Sequence, residues 1–166
     1  MKTRKLTMTG LFTALVCVAT MFIHLPVPMT GGYVHIGDAF IYLASCVLPV
    51  PYAIVAGAVG AGMADAFGGY VVYVVPTVII KTLLVLPFTS KCNKIISLRT
   101  FVSSVIASVI GVAGYFVADY IIYGNMATAF ANMIAGTLQP VFSIAVFVAL
   151  GYALDKSDIK KTLNIN

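Results

Sequence analysis

The chain contains no glutamate and no tryptophan, and only 9% of its 166 residues are charged. A soluble domain of ordinary composition carries about 25% charged residues, so this sequence lacks the charge needed to cover a water-facing surface. Hydrophobic residues make up 61% of the chain. The composition therefore predicts an integral membrane protein with a single domain over residues 1–166.

Cysteine is scarce as well, and the motifs of common enzymes are missing. The three cysteines, Cys17, Cys46 and Cys92, do not have the CxxC or Cys/His spacing of a metal site. No H-E-x-x-H or G-x-S-x-G motif occurs. We expect no catalytic residue, no metal and no cofactor. Because the chain also lacks an ATP-binding loop, energy for any transport would come from a partner or an ion gradient.

Long apolar runs dominate the rest of the sequence. They predict six membrane spans, at residues 6–23, 36–48, 52–66, 72–88, 101–123 and 129–154. The first run is long enough to span and no small-residue cleavage site follows it, so we expect a membrane helix and not a signal peptide. The second run is shorter than the ~20 residues of a straight span. The predicted fold is an all-α bundle of six transmembrane helices.

The basic residues predict the orientation of this bundle. Nine of the ten Lys and Arg residues precede the first span, lie between spans four and five, or follow span six. Basic clusters stay on the cytoplasmic side, so we expect both termini in the cytoplasm and the protein in a bacterial plasma membrane, surrounded by lipid. This topology accounts for the net charge of +5 without nucleic-acid binding.

One basic residue, Lys81, falls inside a predicted span. It lies about nine residues into span four, roughly 13 Å deep at 1.5 Å per residue. A lysine in the middle of a membrane helix costs about 2.5–3.5 kcal/mol. We expect this energy to be offset by a buried pair with Asp65 or Asp119, by extension towards an interface, or by a polar ligand. Tyr73, Thr77 and Lys81 follow one another at four-residue steps, so they share one helix face.

Spans five and six carry polar faces too. Tyr115 and Asp119 are four residues apart in span five, and Asn132 and Gln139 are seven apart in span six. These side chains could form hydrogen bonds between helices, or they could serve as donors and acceptors for a ligand.

The outer loop before span two is the third polar feature. It contains Gly31 and Gly32, then Tyr33, His35 and Asp38. Tyr33 could stack on an aromatic ligand or anchor the loop in the headgroups, and Asp38 could simply favour the helix N-terminus. Together with the polar faces of spans four to six, this loop predicts a binding site for a small heterocycle with hydroxyl groups.

Four motifs connect these features to a known family. They are GYVHIGDA at 32–39, AGMAD at 61–65, GY at 69–70 and PTVIIK at 76–81. Their order and spacing resemble the substrate-binding S components of energy-coupling factor (ECF) vitamin transporters, in particular the riboflavin-type family with its pyridoxine and hydroxymethylpyrimidine members. The resemblance covers the whole chain.

The resemblance implies a function and partners. An S component binds its vitamin from outside, then docks on a membrane scaffold (T) subunit with two ATPases, where ATP is hydrolysed. Docking in that family uses small residues on the first helix, which Gly10 and Ala14 match; Val18 interrupts the motif, and packing within the subunit is the alternative. We expect pyridoxine or hydroxymethylpyrimidine before riboflavin. A self-contained secondary transporter and a non-transporting assembly protein are the alternative functions.

Overall fold

The structure, a computed structural model, describes residues 2–26, 33–88 and 94–157. Seven α-helices occur in these ranges: α1 (Lys2–Phe22), α2 (Gly37–Val47), α3 (Val50–Phe67), α4 (Val74–Val85), α5 (Leu98–Tyr123), α6 (Met126–Gly136) and α7 (Leu138–Lys156). A 3-10 turn (Val71–Tyr73) precedes α4. Two short strands, β1 (His24–Pro26) and β2 (Tyr33–His35), pair antiparallel with His24 opposite His35. The predicted all-α membrane bundle is confirmed, and the strand pair is an addition that apolar periodicity did not indicate.

The helices coincide with the predicted runs apart from a few residues at their ends. The predicted last span, 129–154, lies within one candidate membrane span over Met126–Lys156, and a bend at Thr137 divides that span into α6 and α7. Pro140 lies in the first turn of α7; it has no N–H to donate to the carbonyl of Gly136 and its ring crowds that carbonyl. Thr137 keeps helical angles (φ −65°, ψ −19°), so the chain bends there without reversing.

Helix length separates the bundle into two groups. Within the described residues, four segments are long and apolar enough to cross a membrane: α1, α3, α5, and α6 with α7 taken together. The apolar helices over Gly37–Val47 and Val71–Val85 are shorter. All but one of the residues of α2 are buried, between α1, α3 and α7. A short helix is tolerated there because its surface is covered by other helices and not by lipid.

Small residues let α3 pack closely on its neighbours, as its composition predicts. A Cβ atom placed on Gly60 would lie 2.7 Å from the Thr13 carbonyl and 2.9 Å from Cβ of Val16, so α1 and α3 could not keep their spacing with a larger residue. Elsewhere in the core, Tyr42, Phe88 and Phe147 form an aromatic cluster with ring centroids 5.3–6.2 Å apart.

The C-terminal end of α7 is fastened to the segment that leads into α5. The Asp155 carboxylate accepts hydrogen bonds from the backbone N–H groups of Ile95 and Ile96, at 2.7 and 2.8 Å. Ser97 and Thr100 then form a capping box at the start of α5. These contacts fix how the end of α7 meets the start of α5.

Candidate ligand-binding site

A cavity of about 120 Å³ lies between α2, α4, α5 and α6–α7. This volume is many times the ~10–15 Å³ that one water requires. Eight of the ten side chains predicted to bind substrate line it: His35, Asp38, Tyr73, Thr77, Tyr115, Asp119, Asn132 and Gln139. The structure therefore brings together residues from five separate stretches of the chain.

The other two predicted residues differ. Lys81 is not a lining residue but lies directly behind the wall, with 0% of its surface exposed. The side chain of Tyr33, like Gly31 and Gly32 of the predicted outer loop, lies outside the described residues.

A buried ion pair supports one part of the cavity wall. Lys81 Nζ donates to Asp38 Oδ1 at 2.6 Å, and Gln139 Nε2 donates to Asp38 Oδ2 at 2.7 Å. Lys81 Nζ also lies 5.1 Å from the ring centroid of Tyr115, within the range of a cation–π contact. The predicted partners of Lys81, Asp65 and Asp119, were wrong. Asp38, in the first turn of α2, takes that place.

Two hydroxyl contacts join α4 and the turn before it to α5. Tyr73 donates its hydroxyl hydrogen to Asp119 Oδ1 at 2.6 Å, and the hydroxyls of Thr77 and Tyr115 lie 3.1 Å apart. The four-residue steps predicted to place Tyr73 and Thr77 on one face do so, and Tyr115 and Asp119 face them across the helix pair. The result is a polar wall in which tyrosine rings alternate with hydrogen-bonding groups.

His35 closes the side of the cavity next to β2. Its side chain is buried, and Nδ1 accepts a hydrogen bond from the backbone N–H of Gly37 at 3.0 Å. Because Nδ1 is an acceptor, the proton of the neutral ring is on Nε2. The pKa of His35 is lowered to about 3, chiefly by burial; the Asp38 carboxylate opposes the shift, and the charges of Lys81 and His24 add to it. His35 is therefore an uncharged donor at physiological pH.

Asn132 and Gln139 both line the cavity although the bend at Thr137 lies between them. The amide of Gln139 already donates a hydrogen bond to Asp38. The Oδ1 atom of Asn132 is buried and receives no hydrogen bond from any described residue. The two amides, equivalent in the sequence, therefore differ in what they can offer a ligand.

Sequence reasoning missed several lining residues, among them Tyr42, Asp65, Tyr70, Ser108 and Met133. Tyr42 follows Asp38 by four residues, a spacing that places both on one face of α2, and its hydroxyl lies 3.3 Å from that of Ser108. That spacing was the available signal. Asp65 and Tyr70 come at the end of α3 and after it, where only the fold shows that the chain turns towards the site.

On α1, the predicted docking residues lie away from the cavity. Gly10 and Ala14 are exposed, and a Cβ atom on Gly10 would meet no described atom within 4 Å. Gly10 therefore does not serve the alternative role of close packing within the subunit. Exposed Leu6, Leu11 and Val18 lie on the same helix.

The fold and the cavity together define the class of this protein. It is a helical membrane protein with an aromatic, polar cavity suited to a small molecule. Residues 1–156 match the family described as "ECF-type riboflavin transporter, S component". The chain therefore belongs to the ECF S-component family of vitamin-uptake membrane proteins, which are substrate-binding subunits of transporters.

A second comparison supports similarity along most of the chain. The sequence is 30% identical over 143 residues to "Uncharacterized protein in gap 3'region" from Pyrococcus woesei, covering 85% of this chain and 95% of that protein. No solved structure matches.

Proposed function

We propose that this subunit captures a single-ring aromatic vitamin or vitamin precursor, of the pyridoxine or hydroxymethylpyrimidine type, from outside the cell. The observation that carries the proposal is the cavity itself. Its volume of about 120 Å³ is below the ~300–1,000 Å³ of sites for drug-sized ligands. A compact ring fits such a space better than the three fused rings and long hydroxylated chain of riboflavin, which the family description names.

The chemistry of the wall supports an aromatic ligand. Tyr42, Tyr70, Tyr73 and Tyr115 line the cavity, and tyrosine rings stack on flat heterocycles at little conformational cost. Hydroxyl groups of Thr77 and Tyr115 and the amide of Asn132 supply directional contacts. A few fixed polar groups in an otherwise aromatic wall are typical of sites that orient a small ring.

Lys81 acts in this proposal through Asp38 and Gln139. Its ammonium group neutralises the buried Asp38 carboxylate at 2.6 Å, and Asp38 in turn holds the amide of Gln139 at 2.7 Å. Lys81 thus positions two lining residues and does not itself touch the ligand. The complete burial of Lys81 behind the wall supports this role over direct contact with the ligand.

Binding is tested with the purified subunit in detergent and without ATP. We expect one of pyridoxine or hydroxymethylpyrimidine to raise the unfolding temperature, and riboflavin to do so less or not at all. A stabilisation by riboflavin alone would contradict the single-ring proposal. If no vitamin in a broad panel stabilises the protein, vitamin binding itself is refuted and an assembly role is favoured.

Delivery is the second part of the proposal. Both termini face the cytoplasm of a bacterial cell, and the exposed small residues Gly10 and Ala14 on α1 dock on the scaffold subunit that carries two ATPases. Gly10→Leu should then reduce co-purification with those subunits while vitamin binding in detergent is kept. Uptake into liposomes by this chain alone, driven by an ion gradient, would favour a self-contained transporter instead.

A further inference from the structure

Asn132 lines the cavity with an amide whose Oδ1 atom is buried and receives no hydrogen bond from the described protein. A buried polar atom without a partner costs about 1–3 kcal/mol, and native proteins hold few of them. A ligand that donates a hydrogen bond at this position would recover that energy.

Asp119 is a second acceptor in the cavity wall. Asp119 is 5% exposed and lines the same cavity. Helices α5 and α6 form an antiparallel hairpin at Gly124 and Asn125; Asp119 lies about five residues before this turn and Asn132 about seven after it, so their depths differ by roughly 3 Å. In the described ranges Asp119 makes no ion pair, and Tyr73 bonds only to its Oδ1.

The acceptors of Asp38, another lining residue, are already satisfied by the protein. Both oxygens of Asp38 have donors, Lys81 at 2.6 Å and Gln139 at 2.7 Å. Asp38 and Asp119 therefore differ: the charge of Asp38 is neutralised by Lys81, whereas Asp119, like Oδ1 of Asn132, is left to accept a hydrogen bond from a ligand.

We propose that the cavity selects a heteroaromatic ring with an exocyclic amino group, which donates one hydrogen to Asn132 and the other towards the Asp119 carboxylate. This inference rests on the proposed function and narrows its substrate class. An amino group carries two donor hydrogens, a hydroxyl group only one, and a keto oxygen none. A ligand with a keto oxygen at this position would leave Asn132 unpaired and bring its oxygen against the carboxylate.

The test compares two pyrimidines by calorimetry with the purified subunit at neutral pH. One is hydroxymethylpyrimidine, which carries an exocyclic amino group, and the other is its analogue with a keto oxygen in that place. We expect the amino compound to bind at least ~10-fold more tightly, since sites built to pair a polar group discriminate strongly against its loss. Asn132→Leu should reduce this ratio to below about threefold, and Asn132→Asp, which keeps acceptor oxygens, should retain it.

Asp155→Asn is the control for a lost carboxylate. Asp155 lies outside the cavity, at the far end of α7, so the ratio should not change. Equal affinity for the two pyrimidines in the unaltered protein would overturn the inference, as would an unchanged ratio in folded Asn132→Leu. Binding of pyridoxine without discrimination between the pyrimidines overturns the inference alone and leaves the proposed function standing. Failure of every vitamin to bind overturns both.

Discussion

Replacing Lys81 by Met tests whether this lysine stabilises the bundle or contacts the ligand. The substitution keeps an unbranched side chain but leaves the Asp38 carboxylate buried without its partner at 2.6 Å. Removing one member of a buried ion pair costs about 3–5 kcal/mol, because the remaining charge is uncompensated. For a chain of this size, that corresponds to an unfolding temperature lower by roughly 6–20 °C.

The assay is thermal unfolding in detergent together with vitamin affinity of the folded fraction. The double variant Lys81→Met with Asp38→Asn removes both charges and keeps an acceptor for Gln139, so it should recover at least about half of the lost stability. Lys94→Met, at an exposed position, is the matched control and should change little. An unaltered unfolding temperature combined with lost vitamin binding in Lys81→Met would refute the reasoning, because it would make Lys81 a direct ligand contact.

Three further perturbations address the supports of the site. Gly37→Ala should destabilise the protein, because the added Cβ meets the side chain of Thr20; adding Thr20→Ala should restore the unfolding temperature. Acidification should destabilise the protein through His35, whose pKa falls from 6.5 to about 3 on folding. The contribution of neutral His35 to the free energy of unfolding is fully present above about pH 6.5, and it decreases towards pH 3 by up to ~1.4 kcal/mol per pH unit. His35→Gln should flatten that part of a stability–pH curve, although Asp38, Lys81 and His24 remain nearby. Asp155→Asn should cost about 1–3 kcal/mol, since it weakens two backbone hydrogen bonds; an unfolding temperature equal to that of the unaltered protein would contradict this role.

Helical periodicity predicted the faces of the site well. Steps of four residues placed Tyr73 with Thr77 and Tyr115 with Asp119, and all four line the cavity. These predictions depend only on the geometry of one helix, which a sequence specifies through its apolar pattern.

Helical periodicity does not identify the ion-pair partner of Lys81. Asp38, Asp65 and Asp119 all fall at or near the predicted outer ends of spans, and the choice among them depends on how the helices pack. The burial of α2 and its short length bring Asp38 to α4. A pairing of this kind is a property of the tertiary arrangement and has no local signature.

The sequence contains a partial signal for the bend in the last span. Pro140 marked a break in the hydrogen bonding of the helix, but a proline in a membrane helix can either kink it or be absorbed. The strand pair of β1 and β2 had no alternating pattern long enough to indicate it. Each strand has three residues, shorter than the periodicity from which strands are recognised.

The most direct test of the account fills the cavity. Gly111 lines it, and a Cβ atom there would lie at an ordinary 3.7 Å from Leu84, so Gly111→Leu should fold and occupy space that the vitamin needs. Ala113→Leu, on the exposed face of the same helix, is the control. Calorimetry with the best-binding vitamin should show one site per chain in the unaltered protein and in Ala113→Leu, and affinity at least ~10-fold weaker in Gly111→Leu, a loss of about 1.4 kcal/mol or more. Unchanged affinity in folded Gly111→Leu would contradict the claim that this cavity holds the vitamin.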